Sequence, residues 1–205
     1  MDFLYRPPNF IRALFPDIIW ENSKEGIMLT IDDAPSENTF RILDALDKHK
    51  IKAAFFCTGK NIEKHFREFS AIIKAGHRIE NHGFNHKRLI LKGEGRNKKE
   101  ICSTNDLIVK ITGKKPEFFR PPYGMFNLHT KTAANQEGLK IMLWSFLTAD
   151  HTQDFAMVRR LTDTYLQNNS IIVMHDNQKS SVIFDQSLEY IAKAAIEKKY
   201  FFHCF

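Results

Sequence analysis

Asp32 and Asp33 end an apolar run, Gly26-Ile-Met-Leu-Thr-Ile31, and His82-Gly-Phe-Asn-His86 follows well downstream. An aspartate and two histidines are a sufficient ligand set for a catalytic zinc that keeps open coordination positions. The second aspartate of the pair is then available as a base. Adjacent residues of an extended strand point to opposite sides, so both acids face one cavity only where the strand ends and the chain turns. Without the histidines, the pair would read as acids placed near a helix N-terminus. His82 and His86 share one face if their segment is helical, while Gly83 makes a loop equally compatible. His175 ends the run Ile171-Ile-Val-Met-His175 and is a candidate general acid if it shares a face with the metal site. Arg120, before Pro121-Pro122-Tyr123, either bridges loops or pairs with Asp32. Trp144 and Phe146 either line a sugar-binding surface or pack in the core. Together these residues suggest a metal-dependent hydrolase.

The elements that must position them alternate short apolar segments with amphipathic ones. Strands are expected at 27–31, 53–57, 77–80, 117–119, 140–144, 170–174 and 200–204. Helices are expected after Ser36, at 61–75, 97–112 and 127–137, after Asp154, and at 184–198. Repeated βα units imply a parallel sheet with right-handed crossovers. Such a sheet is either a closed or nearly closed barrel or an open doubly wound sheet. Asp32, Asp33, His82, Arg120 and His175 all lie just past strand ends. In a (β/α) barrel those ends open onto one face, where active sites are built. That placement favours the barrel.

With 205 residues, 43% hydrophobic and 26% charged, the chain suits a single domain over 1–205, with 1–25 as an N-terminal extension packed on it. The net charge of +6 comes from scattered Lys and Arg, with no basic run or reading motif that would point to nucleic acid. Cys57, Cys102 and Cys204 form no CxxC pair, and an odd count argues against a disulfide framework. Cys57 and Cys204 lie in apolar runs and are expected to be buried. No stretch approaches the roughly 20 apolar residues that span a bilayer, and the N-terminus has no basic start leading into an apolar core. A cytoplasmic protein without an integral membrane segment is expected.

In this order, the motifs resemble those of the polysaccharide deacetylase family, the carbohydrate esterases with a NodB-like domain. The family's Thr-Phe-Asp-Asp-Gly-Pro is similar to Thr30-Ile-Asp-Asp-Ala-Pro35, and its His-Ser/Thr-x-x-His to His82-Gly-Phe-Asn-His86. Its Arg-x-Pro-Tyr is intact as Arg120-Pro-Pro-Tyr123, and its Leu-x-x-His resembles Ile172-Val-Met-His175. The resemblance implies an α/β fold, a distorted and incomplete (β/α) TIM-like barrel of about seven parallel strands. It implies that Asp33, His82 and His86 hold a divalent metal, zinc foremost, with cobalt or manganese as alternatives. It further implies that Asp32 is the base, that Arg120 orients it, and that His175 protonates the departing amine. The backbone N–H of Tyr123 would stabilise the oxyanion, and Tyr123 and Trp144 would contact substrate. The implied activity is removal of acetyl groups from N-acetylated sugars by metal-activated water.

The chain departs from the pattern in the fourth motif, Asp-x-x-Asp-Trp, which aligns with Leu147-Thr-Ala-Asp-His151. Leu147 stands where an aspartate supports the catalytic histidine, unless Asp150 or Asp176 takes over. His151 stands where a tryptophan walls the pocket. Two further functions are therefore compatible with the sequence. One is a carbohydrate-binding protein that has lost catalysis, and the other is an O-acetyl esterase on the same fold.

Overall fold

The structure, a computed structural model, describes residues 5–203. Seven strands form one sheet: β1 (Met28–Ala34), β2 (Ala54–Cys57), β3 (Arg78–Asn81), β4 (Phe118–Phe119), β5 (Lys140–Ile141), β6 (Phe146–Leu147) and β7 (Ile171–His175). Every pairing is parallel, in the order β5-β4-β3-β2-β1-β7-β6. The sheet curls into a half barrel and leaves β5 and β6 as edges, which is the incomplete barrel that the motifs imply. Helix α1 (Asn9–Leu14) precedes it. The connections carry α2 (Thr39–Lys48), α3 (Gly59–Lys64), α4 (Phe66–Lys74), α5 (Glu94–Thr112), α6 (Leu128–Gln136), α7 (Phe155–Tyr165), α8 (Gln178–Ser181) and, last, α9 (Phe184–Glu197).

The central strands are apolar on both faces, as parallel strands covered on both sides must be. Their side chains sort into two clusters with the two-residue period of a pleated strand. Leu29, Ile31, Phe55, Ile172 and Met174 face outward onto Ile42, Leu46, Leu188 and Ile191 of α2 and α9. Met28, Ala54, Phe56, Ile171 and Val173 face inward with Phe119 and Trp144. Residues 5–25 run across the gap between the two edge strands. Ile19 pairs with Met142, its N–H donating to Ile141 O at 3.0 Å, and Leu147 N–H donates to Tyr5 O at 2.7 Å. Covering both edges in this way removes the unpaired strand backbone that would otherwise invite another chain.

Several expected boundaries change. The helix expected at 61–75 is two helices, broken at His65 (φ −122, ψ 50). The break arises because α3 is tied at its start to the loop after β3, with Gly59 N–H on Gly83 O at 3.0 Å and Lys60 N–H on Phe84 O at 2.9 Å. α4 is instead directed by Phe69 and Ile72 packing into the outer cluster. Of the strand expected at 200–204, the described residues 200–203 make a single bridge, between Phe202 and Ile27, because both edges of β1 are taken by β2 and β7. The seventh strand is β6. Cys57 is fully buried, as expected, while Cys204 lies outside the described residues. Among the described residues no helix is long and apolar enough to cross a membrane.

Candidate active site

Strand alternation aims Asp32. It follows Met28 and Thr30 on the inward face of β1 and is buried. Asp33 would point outward if the strand ran on, but it takes a left-handed backbone (φ 67), and the pairing with β2 slips between Asp32 and Ala34. This bulge re-aims a side chain at a strand end and brings both acids to one side. Asn61 Nδ2 donates to the Asp33 carbonyl at 2.6 Å and Asn177 Nδ2 to Asp33 Oδ2 at 2.8 Å, which fixes the bulge and turns Oδ1 to the histidines.

His82 and His86 follow β3 in a loop. Gly83 (φ 75) and His86 (φ 52) are both left-handed, so the pair does not share a helix face. The loop is pinned from α5: Glu100 Oε2 accepts Phe84 N–H at 3.0 Å and Asn85 N–H at 2.7 Å. His82 Nδ1 donates to Arg120 O at 2.7 Å, which sets the tautomer and turns Nε2 toward the acids. Burial pulls His82 down to about 4, against the pull of Asp32, so its imidazole is neutral, the form that ligates. His86 Nε2 lies 3.0 Å and His82 Nε2 3.7 Å from Asp33 Oδ1, and donor atoms of all three residues fall within 4.8 Å of one another. Tetrahedral zinc with bonds near 2.0–2.2 Å needs donors about 3.4 Å apart. The two distances bracket that value, so the triad fits such an ion. Burial alone would raise the Asp33 carboxyl, but the hydrogen bond from His86 and the nearby imidazoles hold it well below the usual carboxylate range.

Arg120, at the end of β4, is fully buried inside the curl. Its Nη1 donates to Asp32 Oδ1 at 2.6 Å and Thr30 Oγ1 at 2.7 Å, Nη2 to Leu143 O at 2.9 Å, and Nε to Met142 O at 3.2 Å. The guanidinium stacks on Phe56 with Cζ 3.9 Å from the ring centroid. It therefore fixes Asp32 by one oxygen, while Asp32 Oδ2 faces His82 Nε2 at 3.9 Å. Removing one partner of a buried pair strands the other's charge, so Arg120→Met is expected to lose about 3–5 kcal/mol of stability. Urea unfolding followed by circular dichroism measures that loss.

Tyr123 lies in a short 3-10 turn at φ 61 and is half exposed. The turn's own bonds run from Gly124 N–H to Pro121 O and from Met125 N–H to Pro122 O, and neither uses the Tyr123 N–H. Its ring lies 4.7 Å from that of His86 and carries Arg88 Cζ at 5.0 Å on its face. Trp144 is 7% exposed, packs beneath Gly124, and its indole N–H has no partner among the described residues.

His175 ends β7 directly opposite Asp32 in the parallel register. Leu147 gives it no carboxylate, and Asp150 does so instead. Asp150 Oδ2 accepts the His175 backbone N–H at 2.8 Å, and Asp150 Oδ1 accepts Nδ1–H at 2.7 Å. Asp176 is occupied elsewhere, accepting from the hydroxyls of Ser36 and Thr39. Burial works against a charged His175, yet Asp150, with help from Asp33 and Asp32, lifts it to about 9. Glu100, Asn61 and Asn177 escaped the sequence reading. None stands in a recognisable motif, and only Asn177, two residues past His175, had a positional hint.

The polysaccharide deacetylase family model matches residues 21–142. A peptidoglycan-N-acetylglucosamine deacetylase of Bacillus cereus is 36% identical over 129 residues, covering 62% of this chain and 47% of that protein. The peptidoglycan-N-acetylglucosamine deacetylase PgdA of Listeria monocytogenes is 29% identical over 168 residues, 81% of this chain and 35% of that one. The chain thus spans less than half the length of these curated relatives. The solved structure of the Bc1960 peptidoglycan N-acetylglucosamine deacetylase superposes with a TM-score of 0.86 at 28% identity, over 95% of this chain and 93% of that one. A CE4 family pseudoenzyme from Bacillus anthracis shares the fold, with a TM-score of 0.79 at 23% identity over 90% of this chain and 66% of that one.

Proposed function

Because this chain belongs to the polysaccharide deacetylase family, we propose that it is a metal-dependent hydrolase that removes the N-acetyl group from amino sugars of peptidoglycan or a related glycan. We read residues 1–205 as one such domain. The observation that carries the activity is the pairing of Asp32 with His175 across β1 and β7, beside the cluster of Asp33, His82 and His86. That donor set suits zinc foremost among divalent metals, which when bound supplies Lewis acidity toward the acetyl carbonyl and toward water. Asp32 takes the proton of the attacking water on Oδ2, the oxygen that Arg120 leaves unused. The Tyr123 N–H donates to the oxyanion as it develops. His175 gives its proton to the departing amine nitrogen. The exposed Tyr123 ring stacks on the sugar, and Trp144 forms the wall beneath Gly124.

A binding protein without turnover draws support from Leu147. The Asp150 contact weighs against it, because His175 keeps a buried carboxylate at hydrogen-bond distance. The test is acetate release from N-acetylglucosamine oligomers and peptidoglycan fragments, before and after chelation and zinc restoration. Release that survives both chelation and Asp32→Asn overturns the reading. Faster release from acetyl-xylan would move the assignment to an O-acetyl esterase.

The acid also predicts a pH dependence. His175 must carry its proton, so kcat/KM is expected to fall on the alkaline side, at a pH below about 9 because a cation on Asp33 offsets part of the pull of that carboxylate on the imidazolium. In Asp150→Asn the anion that stabilises the imidazolium is gone, and the same limb moves to lower pH. A pH profile of both proteins measures the displacement.

A further inference from the structure

We infer that Asp150, His151 and His175 form a second site, for a divalent cation of the zinc class, and that its occupation silences the acid of the reaction. Each residue offers one donor atom, and the three atoms lie within 4.8 Å of one another. Asp150 is fully buried with both oxygens turned to His175. The rings of His151 and His175 meet edge to face, with centroids 5.2 Å apart. His151 Nδ1 is itself buried and has no hydrogen-bond partner among the described residues. Leaving such an atom unsatisfied is costly, and coordination through this nitrogen would remove that cost.

The donor chemistry selects the ion. Two imidazoles and one carboxylate suit zinc and its neighbours, whereas magnesium and calcium prefer oxygen ligands. The family pattern places a tryptophan at this position, and an indole offers no ligating lone pair. His151 completes the set at a position where this chain departs from that pattern. None of the three residues belongs to the cluster of Asp33, His82 and His86, so two ions would not compete for ligands. Lys179 acts on His151 as a nearby positive charge and opposes a cation there. An ion there must also break the Asp150–His175 hydrogen bond, so it is expected to bind more weakly than the first.

Entry of the ion displaces the proton shared by Asp150 and His175 into solvent. His175, coordinated through Nδ1, is then a neutral imidazole whose remaining Nε2–H is far less acidic than that of the imidazolium, so it no longer serves as the acid for the leaving amine. This consequence rests on the proposed function, but the binding does not, so the two can be tested apart. Calorimetric titration of zinc into metal-stripped protein is to be run on the wild type, His82→Ala, His151→Phe and His151→Gln. Two replacements at His151, each checked by thermal melting, guard against a variant that misfolds. The expected result is two ions per wild-type chain, the weaker one lost in both His151 variants and kept in His82→Ala. Zinc beyond the first equivalent should then suppress acetate release by the wild type, and that suppression should be lost over the same zinc range in His151→Gln. A single ion that both His151 variants retain overturns the second site and leaves the proposed function standing. A weaker ion that survives both His151 replacements overturns it as well. A single ion kept in His82→Ala and lost with His151 supports the second site and overturns the first.

Discussion

His82→Ala is expected to lose the tight zinc equivalent and to lower kcat/KM by more than about 10³-fold, well beyond the roughly 10–100-fold typical of residues that only support a ligand. His82 is the most buried of the three donors, and its Nδ1 bond to Arg120 O aims Nε2 at Asp33. Alanine removes a ligand and opens a cavity beside the buried arginine at once. Elemental analysis and acetate release on one preparation measure both losses, and thermal melting of the metal-free variant separates them from unfolding. Glu100→Gln is the informative contrast. It keeps an acceptor for the loop N–H groups and removes only the charge from a residue that touches no ligand donor atom. Its effect is expected within the roughly 10–100-fold range. An equal loss in both variants would show that the loop, not the ligand, limits activity.

Asp32→Asn is expected to lower kcat by about 10²–10⁴-fold, the range for loss of a positioned proton acceptor, while zinc stoichiometry and KM stay near the wild type. The amide oxygen can still accept from Arg120, so the guanidinium keeps a hydrogen bond though it loses its counter-charge. Some stability is lost for that reason, and denaturant unfolding has to accompany the kinetics. If Asp32→Asn instead lost zinc, Asp32 would be a ligand and the roles of the adjacent acids would be exchanged. His175→Ala cannot make this distinction, because it disturbs Asp150 as well as the leaving-group side.

The residues proposed as metal donors and proton carriers were legible as candidates because each is local in the chain. Asp32, Asp33, His82, Arg120 and His175 all follow apolar runs that must be strands, and in a parallel sheet the ends of such runs open on one side. That successive residues of β1, β2 and β7 alternate between two faces could also be anticipated, since a two-residue period is a property of the strand. The left-handed turn at Asp33 could not. It reverses the side that strand alternation assigns, and it depends on Asn61 and Asn177 arriving from distant segments. The loop form of His82–His86 likewise depends on Glu100, brought in by α5.

Residue type and local periodicity thus pointed to the sheet and to most residues of the candidate site. The partner of His175 was beyond their reach: Leu147, Asp150 and Asp176 are all near in sequence to one or other end of the pairing. Asp176 is drawn to the hydroxyls of Ser36 and Thr39, while the left-handed Ala149 turns Asp150 onto β7. A carboxylate's partner is settled by which donors meet it within about 3 Å, and those donors come from remote parts of the chain.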